Sequence, residues 1–253
     1  MKLVAACVVS SVFLLNGCVN NSNNTNNNRT PGQPYIEFVG TMADGVKKIY
    51  NAEGNLETET PYKDSLPNGL QKEYYKTGKI YRETPLVNGK PNGLVKEYYN
   101  AAGTIYREMP VVDGKAHGII KKYYENGVLL SEAPYENGEP TIGLKEYSET
   151  GTPIEKPKMV FKGIDRISSE GAYIIEISLS DKYIEPTYSN VTIFEGKEVV
   201  NKIPIVNGKG VFKLYVPKGI VLNKKITFEA RYNTKRKNTY ITRDSYTIST
   251  ANF

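Results

Sequence analysis

The 253-residue chain has 33 Lys and Arg against 27 Asp and Glu, and its aromatic side chains are 20 Tyr and 7 Phe with no Trp. That length allows one large or two modest domains with buried cores. Its two cysteines, Cys7 and Cys18, both fall in an N-terminal leader, and His117 is the single histidine. The rest of the chain therefore offers no cysteine nucleophile, thiolate metal centre, histidine cluster or intramolecular disulfide. The net charge of +6 is uneven: residues 45–158 carry 16 basic and 16 acidic side chains, residues 159–253 carry 15 and 9.

Lys2 followed by the apolar run Leu3 to Leu15 has the layout of a secretory signal. Those 13 residues, rising about 1.5 Å each, reach about 20 Å, too short for a hydrocarbon core of about 30 Å. Leu15-Asn16-Gly17-Cys18 closes the run and resembles the lipobox of bacterial lipoproteins. The resemblance implies a signal peptide over residues 1–17, cleavage before Cys18, and a diacylglyceryl (palmitate-type) anchor on that thiol. Two or three acyl chains hold a protein stably where one holds it marginally. The following stretch VNNSNNTNNNRTPGQP has too little apolar surface to order itself, so residues 18–34 read as a lipidated cysteine and a tether with a reach of about 20–25 Å. Val19 lacks the acidic signal that retains some lipoproteins in the inner membrane, which points to the outer membrane where a cell has two.

An internal repeat occupies residues 35–158. Gly45, Gly69, Gly93, Gly118 and Gly143 open five similar segments at spacings of 24, 24, 25 and 25 residues. Each continues with an apolar residue (Val46, Leu70, Leu94, Ile119, Leu144), then the lysines Lys48, Lys72, Lys96 and Lys121, then Tyr50, Tyr74, Tyr98 and Tyr123. Residues an even number apart share a strand face, so these three positions form parallel columns. A second glycine, then Glu59, Glu83, Glu108 or Glu132, and Pro61, Pro85, Pro110 or Pro134, complete the unit. Asn88-Gly89, Asp113-Gly114 and Asn137-Gly138 are hairpin turn pairs. The pattern predicts one β-hairpin per unit, with the Glu column paired across strands to the Lys column. The fifth copy has Lys156 where Glu is expected and reads as a cap.

The repeated G-hydrophobic-x-K-x-Y-Y-x-x-G-x-hydrophobic, E and NGK elements resemble the bacterial variant of MORN repeats, also known as antitoxin repeats. The resemblance implies an elongated, single-layer antiparallel sheet of stacked hairpins that serves as a scaffold or contact surface.

From Met159 the period is lost. Seven candidate strands (159–168, 172–179, 189–196, 198–206, 210–216, 225–232 and 239–248), separated by Gly, Asn and Pro, predict an all-β, immunoglobulin-like sandwich over residues 159–253.

Catalytic patterns are absent: there is no G-x-S-x-G elbow, P-loop or dinucleotide fingerprint. Glu57/Glu59 and Glu195/Glu198 could be written as acid pairs, but Glu59 belongs to a repeat column. His117 stands where other copies have Asn68 and Asn92, a turn position. The reading is a non-catalytic binding or scaffold protein of the bacterial envelope without a cofactor; the alternative is an immunity or antitoxin-type protein that neutralises a toxin through the repeat sheet. The contact residues expected on the sheet are Tyr74, Tyr75, Tyr98, Tyr99, Tyr123 and Tyr124, facing a protein partner. Arg231, Lys235, Arg236 and Lys237, near Arg243 and interleaved with Tyr232 and Tyr240, form a basic cluster. Export argues against nucleic acid, leaving a solvated loop or a contact with anionic lipid or lipopolysaccharide. Labelled palmitate should enter the wild-type chain in cells and not Cys18→Ala; equal labelling of both would refute the lipobox reading.

Overall fold

A computed structural model describes residues 32–181 and 185–253, so the leader, Cys18 and the tether up to residue 31 lie outside the described residues. The fold is nearly all β, with open antiparallel sheets of hairpin repeats and two further sheets. The chain divides into two compact units, meeting in sequence at Gly103 and Thr104.

The first unit contains β1 (Tyr35–Gly40), β2 (Gly45–Tyr50), β3 (Leu56–Lys63) and the short β4 (Leu66–Pro67). It continues with β5 (Gly69–Tyr74), β6 (Ile80–Val87), the short β7 (Lys90–Pro91) and β8 (Gly93–Tyr98). The strands lie in the order β1-β2-β3-β5-β6-β8, all antiparallel. The predicted turn chemistry is present: Asn88 and Gly89 have φ of 48° and 79°, and Asp64 and Ser65 take the same role with 51° and 66°. Positive φ at both central positions matches the right-handed twist of the flanking strands.

The opening glycine has a second reason beyond the turn. Gly69 and Gly93 have φ of 114° and 123°, and a Cβ on either would sit 3.2 Å from the Cβ of Pro61 or Pro85 in the preceding copy. The proline ring, which cannot donate to a ladder, lies where the next chain segment must pass with no side chain. Gly118 and Gly143 stand in the same way over Pro110 and Pro134.

The second unit starts with β9 (Ile105–Val112), β10 (Lys115–Ala116), β11 (Gly118–Tyr123), β12 (Leu129–Glu136), β13 (Glu139–Pro140) and β14 (Lys145–Glu146). Here the fifth copy corrects the column assignment. Lys145 lies opposite Glu132 and Glu146 opposite Ser131, so Lys145, two residues after its glycine, holds the position that Lys121 holds three residues after its own. Leu144 consequently falls on the opposite face from Ile119, and is buried where Ile119 is exposed.

Strand pairing then changes at Met159, through β15 (Met159–Arg166), α1 (Ile167–Glu170), β16 (Ala172–Leu179), β17 (Thr187–Phe194) and β18 (Lys197–Lys202). The chain ends with β19 (Ile205–Val206), β20 (Lys209–Tyr215), β21 (Ile220–Asn233) and β22 (Thr239–Asn252). Two four-stranded sheets, β15-β16-β20-β19 and β18-β17-β21-β22, share a core of Ile175, Ile177, Tyr188, Phe228, Ala230 and Ile248. This is the strand distribution of an immunoglobulin-like sandwich. The expected single strand over 198–206 is instead two strands in different sheets. Pro204 interrupts the ladder between them, and Ile203 is buried at the crossing.

Gly93→Ala combines a left-handed backbone with a proline contact, whereas Gly78, φ 79°, has open space where its Cβ would be. Chemical denaturation should show Gly93→Ala losing about 2–3 kcal/mol and Gly78→Ala about 1 kcal/mol; equal losses would remove the role assigned to the proline contact.

Candidate binding face of the repeats

Strand alternation sorts the repeat side chains onto two faces. One buries Thr60, Thr84, Leu86, Val95 and Glu97 in the first unit, and Val111, Ile120, Ser131, Ala133 and Leu144 in the second. The other face carries the columns of the repeat motif.

On that second face the Lys and Glu columns interleave. Glu59 lies opposite Lys48 on one side and Lys72 on the other, and Glu83 between Lys72 and Lys96. In the second unit Glu108, Lys121, Glu132 and Lys145 continue the alternation. Opposite charges at directly facing positions support an antiparallel ladder. The expected Lys–Glu pairing is thus present, with Lys48 Nζ 3.3 Å from Glu59 Oε1.

The shortest bonds to these carboxylates come from tyrosine, which sequence reasoning missed. The Tyr74 hydroxyl donates to Glu59 at 2.6 Å and Tyr98 to Glu83 at 2.6 Å. Tyr123 donates to Glu108 at 2.8 Å and Tyr147 to Glu132 at 3.4 Å. The constant separation of 15 residues in these pairs is a sequence signal that was available. β1 supplies the same acceptor at the start: Tyr50 donates to Glu37, and Glu37 lies opposite Lys48. The Tyr74 bond holds the Glu59 carboxyl below its usual range, against burial and with help from Lys48. Burial and the Glu108 bond raise the Tyr123 hydroxyl to about 12.

The second tyrosine of the pair also binds the following copy. Tyr75 donates to the carbonyl of Tyr98 at 2.6 Å, and Tyr124 to that of Tyr147 at 2.8 Å. All six tyrosines named as contact residues are half-buried. What remains open beside them is aliphatic: Leu70 and Leu94 are each 41% exposed, Ile119 49%. Within each unit this position, facing Pro85 in the first and Pro134 in the second, lies beside the charged column.

The basic cluster divides. Arg236 donates through Nε and Nη2 to the Tyr124 hydroxyl at 3.2 and 3.1 Å, and Arg231 lies 3.8 Å from Glu229. Lys235 and Lys237 are exposed on the turn between β21 and β22. The same turn supplies Thr234 and Asn238 to the buried carboxylate of Glu146, at 2.6 and 2.7 Å, while Lys156 pairs with its other oxygen. Burial works to raise the Glu146 pKa, and these donors more than offset it. Lys156, expected only as a departure from the repeat, is therefore the counter-charge that closes the stack. A groove of about 540 Å³ beside it is lined by Leu144, Pro153, Lys156, Tyr240 and Arg243, and its Lys156 and Arg243 are held in ion pairs. No group of three or more His, Cys, Asp or Glu among the described residues could hold a metal ion.

A family profile described as the MORN repeat variant matches residues 43–64, 67–88 and 116–137. No curated protein matches the chain. The matched segments are the first, second and fourth copies. The third, one of the clearest in sequence, has a turn one residue longer: Gly103 N–H bonds to the Tyr99 carbonyl, whereas Gly78 bonds to that of Tyr75. Three of the copies thus match the MORN repeat variant, a repeat that generally serves in binding.

Stability should fall at both ends of the pH scale. Glu59, lowered in the folded state, contributes above its ordinary value of 4.5 and loses that contribution as pH falls through its folded value. Tyr123 contributes below pH 10 and loses its contribution between 10 and about 12. Tyr123→Phe should cost about 1 kcal/mol at neutral pH and flatten the alkaline slope in denaturant titrations; an unchanged slope would show that the Glu108 bond does not act on this tyrosine.

Proposed function

We propose that the chain is a lipid-anchored bacterial envelope protein that binds a partner protein through the ladder face of its repeats. The observation that carries this is the recurrence, about every 9.6 Å (two strand spacings), of an exposed aliphatic side chain beside a fixed pair of opposite charges. Leu70 and Leu94 repeat it in the first unit, and Ile119 carries it in the second. Such a face presents several equivalent weak contacts in a row, which together hold an elongated partner more tightly than any one alone. The tyrosine hydroxyls set the position of the charges, and the charged row lies between the tyrosines and the aliphatic row. Export by the leader and attachment at Cys18 place this face in the envelope. Lys235 and Lys237 remain available for a contact with anionic headgroups, which a lipid-anchored chain meets at close range.

A photo-reactive amino acid at Leu70 or Leu94 should trap the same partner in intact cells, and one at the exposed Lys218 should not. Trapping at Lys218 alone, or at none of the three, would overturn the assignment of this face. A secreted toxin as the trapped partner would favour the immunity-type alternative, and an envelope-assembly or adhesion protein the scaffold reading.

A further inference from the structure

β18 is an edge strand, paired on one side only with β17. All six of its residues, Lys197 to Lys202, are exposed, including Val199 at 36% and Val200 at 46%. An uncovered edge with adjacent valines is a template for another strand, and lysines at its two ends are the usual protection against indiscriminate pairing.

The order of charges distinguishes one partner. When β18 is laid antiparallel against a second β18 about a two-fold axis, facing residues share one side of the sheet, so the register centres on a residue; centring on Val199 sets Glu198 against Val200, and centring on Asn201 sets Val200 against Lys202. The register that centres on Val200 sets Glu198 against Lys202 of the other chain, twice, with Val200 against its own copy. These three residues share one face because they alternate along the strand. On the same face, Val191 of β17 lies opposite Val200, and Ile193, 68% exposed, lies opposite Glu198. The result is an apolar row Val191-Val200-Val200-Val191 flanked by two Glu198–Lys202 pairs. Arg243 of β22 already binds Glu198 from within the chain, with Nη1 2.9 Å from both of its oxygens, so in the pair the carboxylate is shared between Arg243 and Lys202 of the other copy. Of these registers, only this one sets opposite charges directly against each other.

We propose that β18 pairs with β18 of a second copy in this two-fold register, joining two four-stranded sheets into one of eight strands. A symmetric edge contact of this kind is isologous and closes at a dimer. It uses the sandwich and does not depend on what the repeat face binds.

The test uses the full chain with Cys7→Ser and Cys18→Ser, held in detergent, so that an introduced cysteine is the sole thiol. Val200→Cys places the two thiols directly opposite each other. Lys197→Cys, on the same exposed strand, places them about 20 Å apart at about 3.4 Å per residue. Mild oxidation should cross-link Val200→Cys at least about tenfold faster than Lys197→Cys. Adding Lys202→Glu to Val200→Cys, which sets Glu against Glu at both ends, should slow the cross-link about tenfold. Mixing that chain with one carrying Val200→Cys and Glu198→Lys should restore it, since every facing charge is then opposite. Equal rates for the two cysteine positions, or a rate indifferent to Lys202→Glu, would overturn the proposal; if Glu198→Lys does not fold, the first two comparisons still decide.

Discussion

A tyrosine hydroxyl donated to the glutamate of the preceding copy is the bond on which the repeat architecture rests. An isolated two-stranded hairpin is marginal in water, and stacked repeats gain their stability where neighbours meet. The Tyr74–Glu59 and Tyr98–Glu83 bonds lie across such junctions, as do the Tyr75 and Tyr124 bonds to the backbone of the following copy. The Tyr74/Tyr75 and Tyr123/Tyr124 pairs send both hydroxyls to neighbouring copies, one backward and one forward. This accounts for the preference for Tyr over Phe at these positions, because Phe would supply the ring and leave the junction unbonded.

Those bonds also determine what the face can offer a partner. With glutamate held by tyrosine on one side and by lysine across the strand, the charged row is ordered before any partner arrives, and ordering it on binding adds no cost. The aliphatic row beside it is the part that can lose water on contact. The opposite face buries its branched residues, Val95 and Ile120 among them, so the two faces have different tasks even though both carry apolar side chains.

The far end of the repeats is closed by charge. Glu146 stands on the buried face, where a carboxylate is tolerated only when its oxygens are occupied. Lys156, Thr234 and Asn238 occupy them, and Lys122 reaches Asn238 at 2.7 Å. Much of the basic turn between β21 and β22 is therefore structural, with Arg236 committed to Tyr124. In the same sandwich β18 is an edge strand with all six residues exposed, which leaves it open to another strand.

The sequence by itself determined the leader layout, the 24-residue period, the hairpin turns, the Lys and Glu columns and the position where the repeats give way to a sandwich. Each of these is local, because turn residues, even-odd alternation and Gly-Pro spacing act over a few residues or recur in every copy. Tertiary structure decided the rest. Which face is buried could not be read from the motif, because the residue after the opening glycine is apolar yet exposed, and the slip in the fifth copy appears only in the pairing of Lys145 with Glu132. The bonds of Glu146 to Thr234 and Asn238 and of Arg236 to Tyr124 join residues about 90 to 110 positions apart, and the division of 198–206 between two sheets followed from Pro204 only once the second sheet was present. Contacts at such separations leave no periodic trace in the chain, since they occur once and depend on how the sandwich packs against the last repeat.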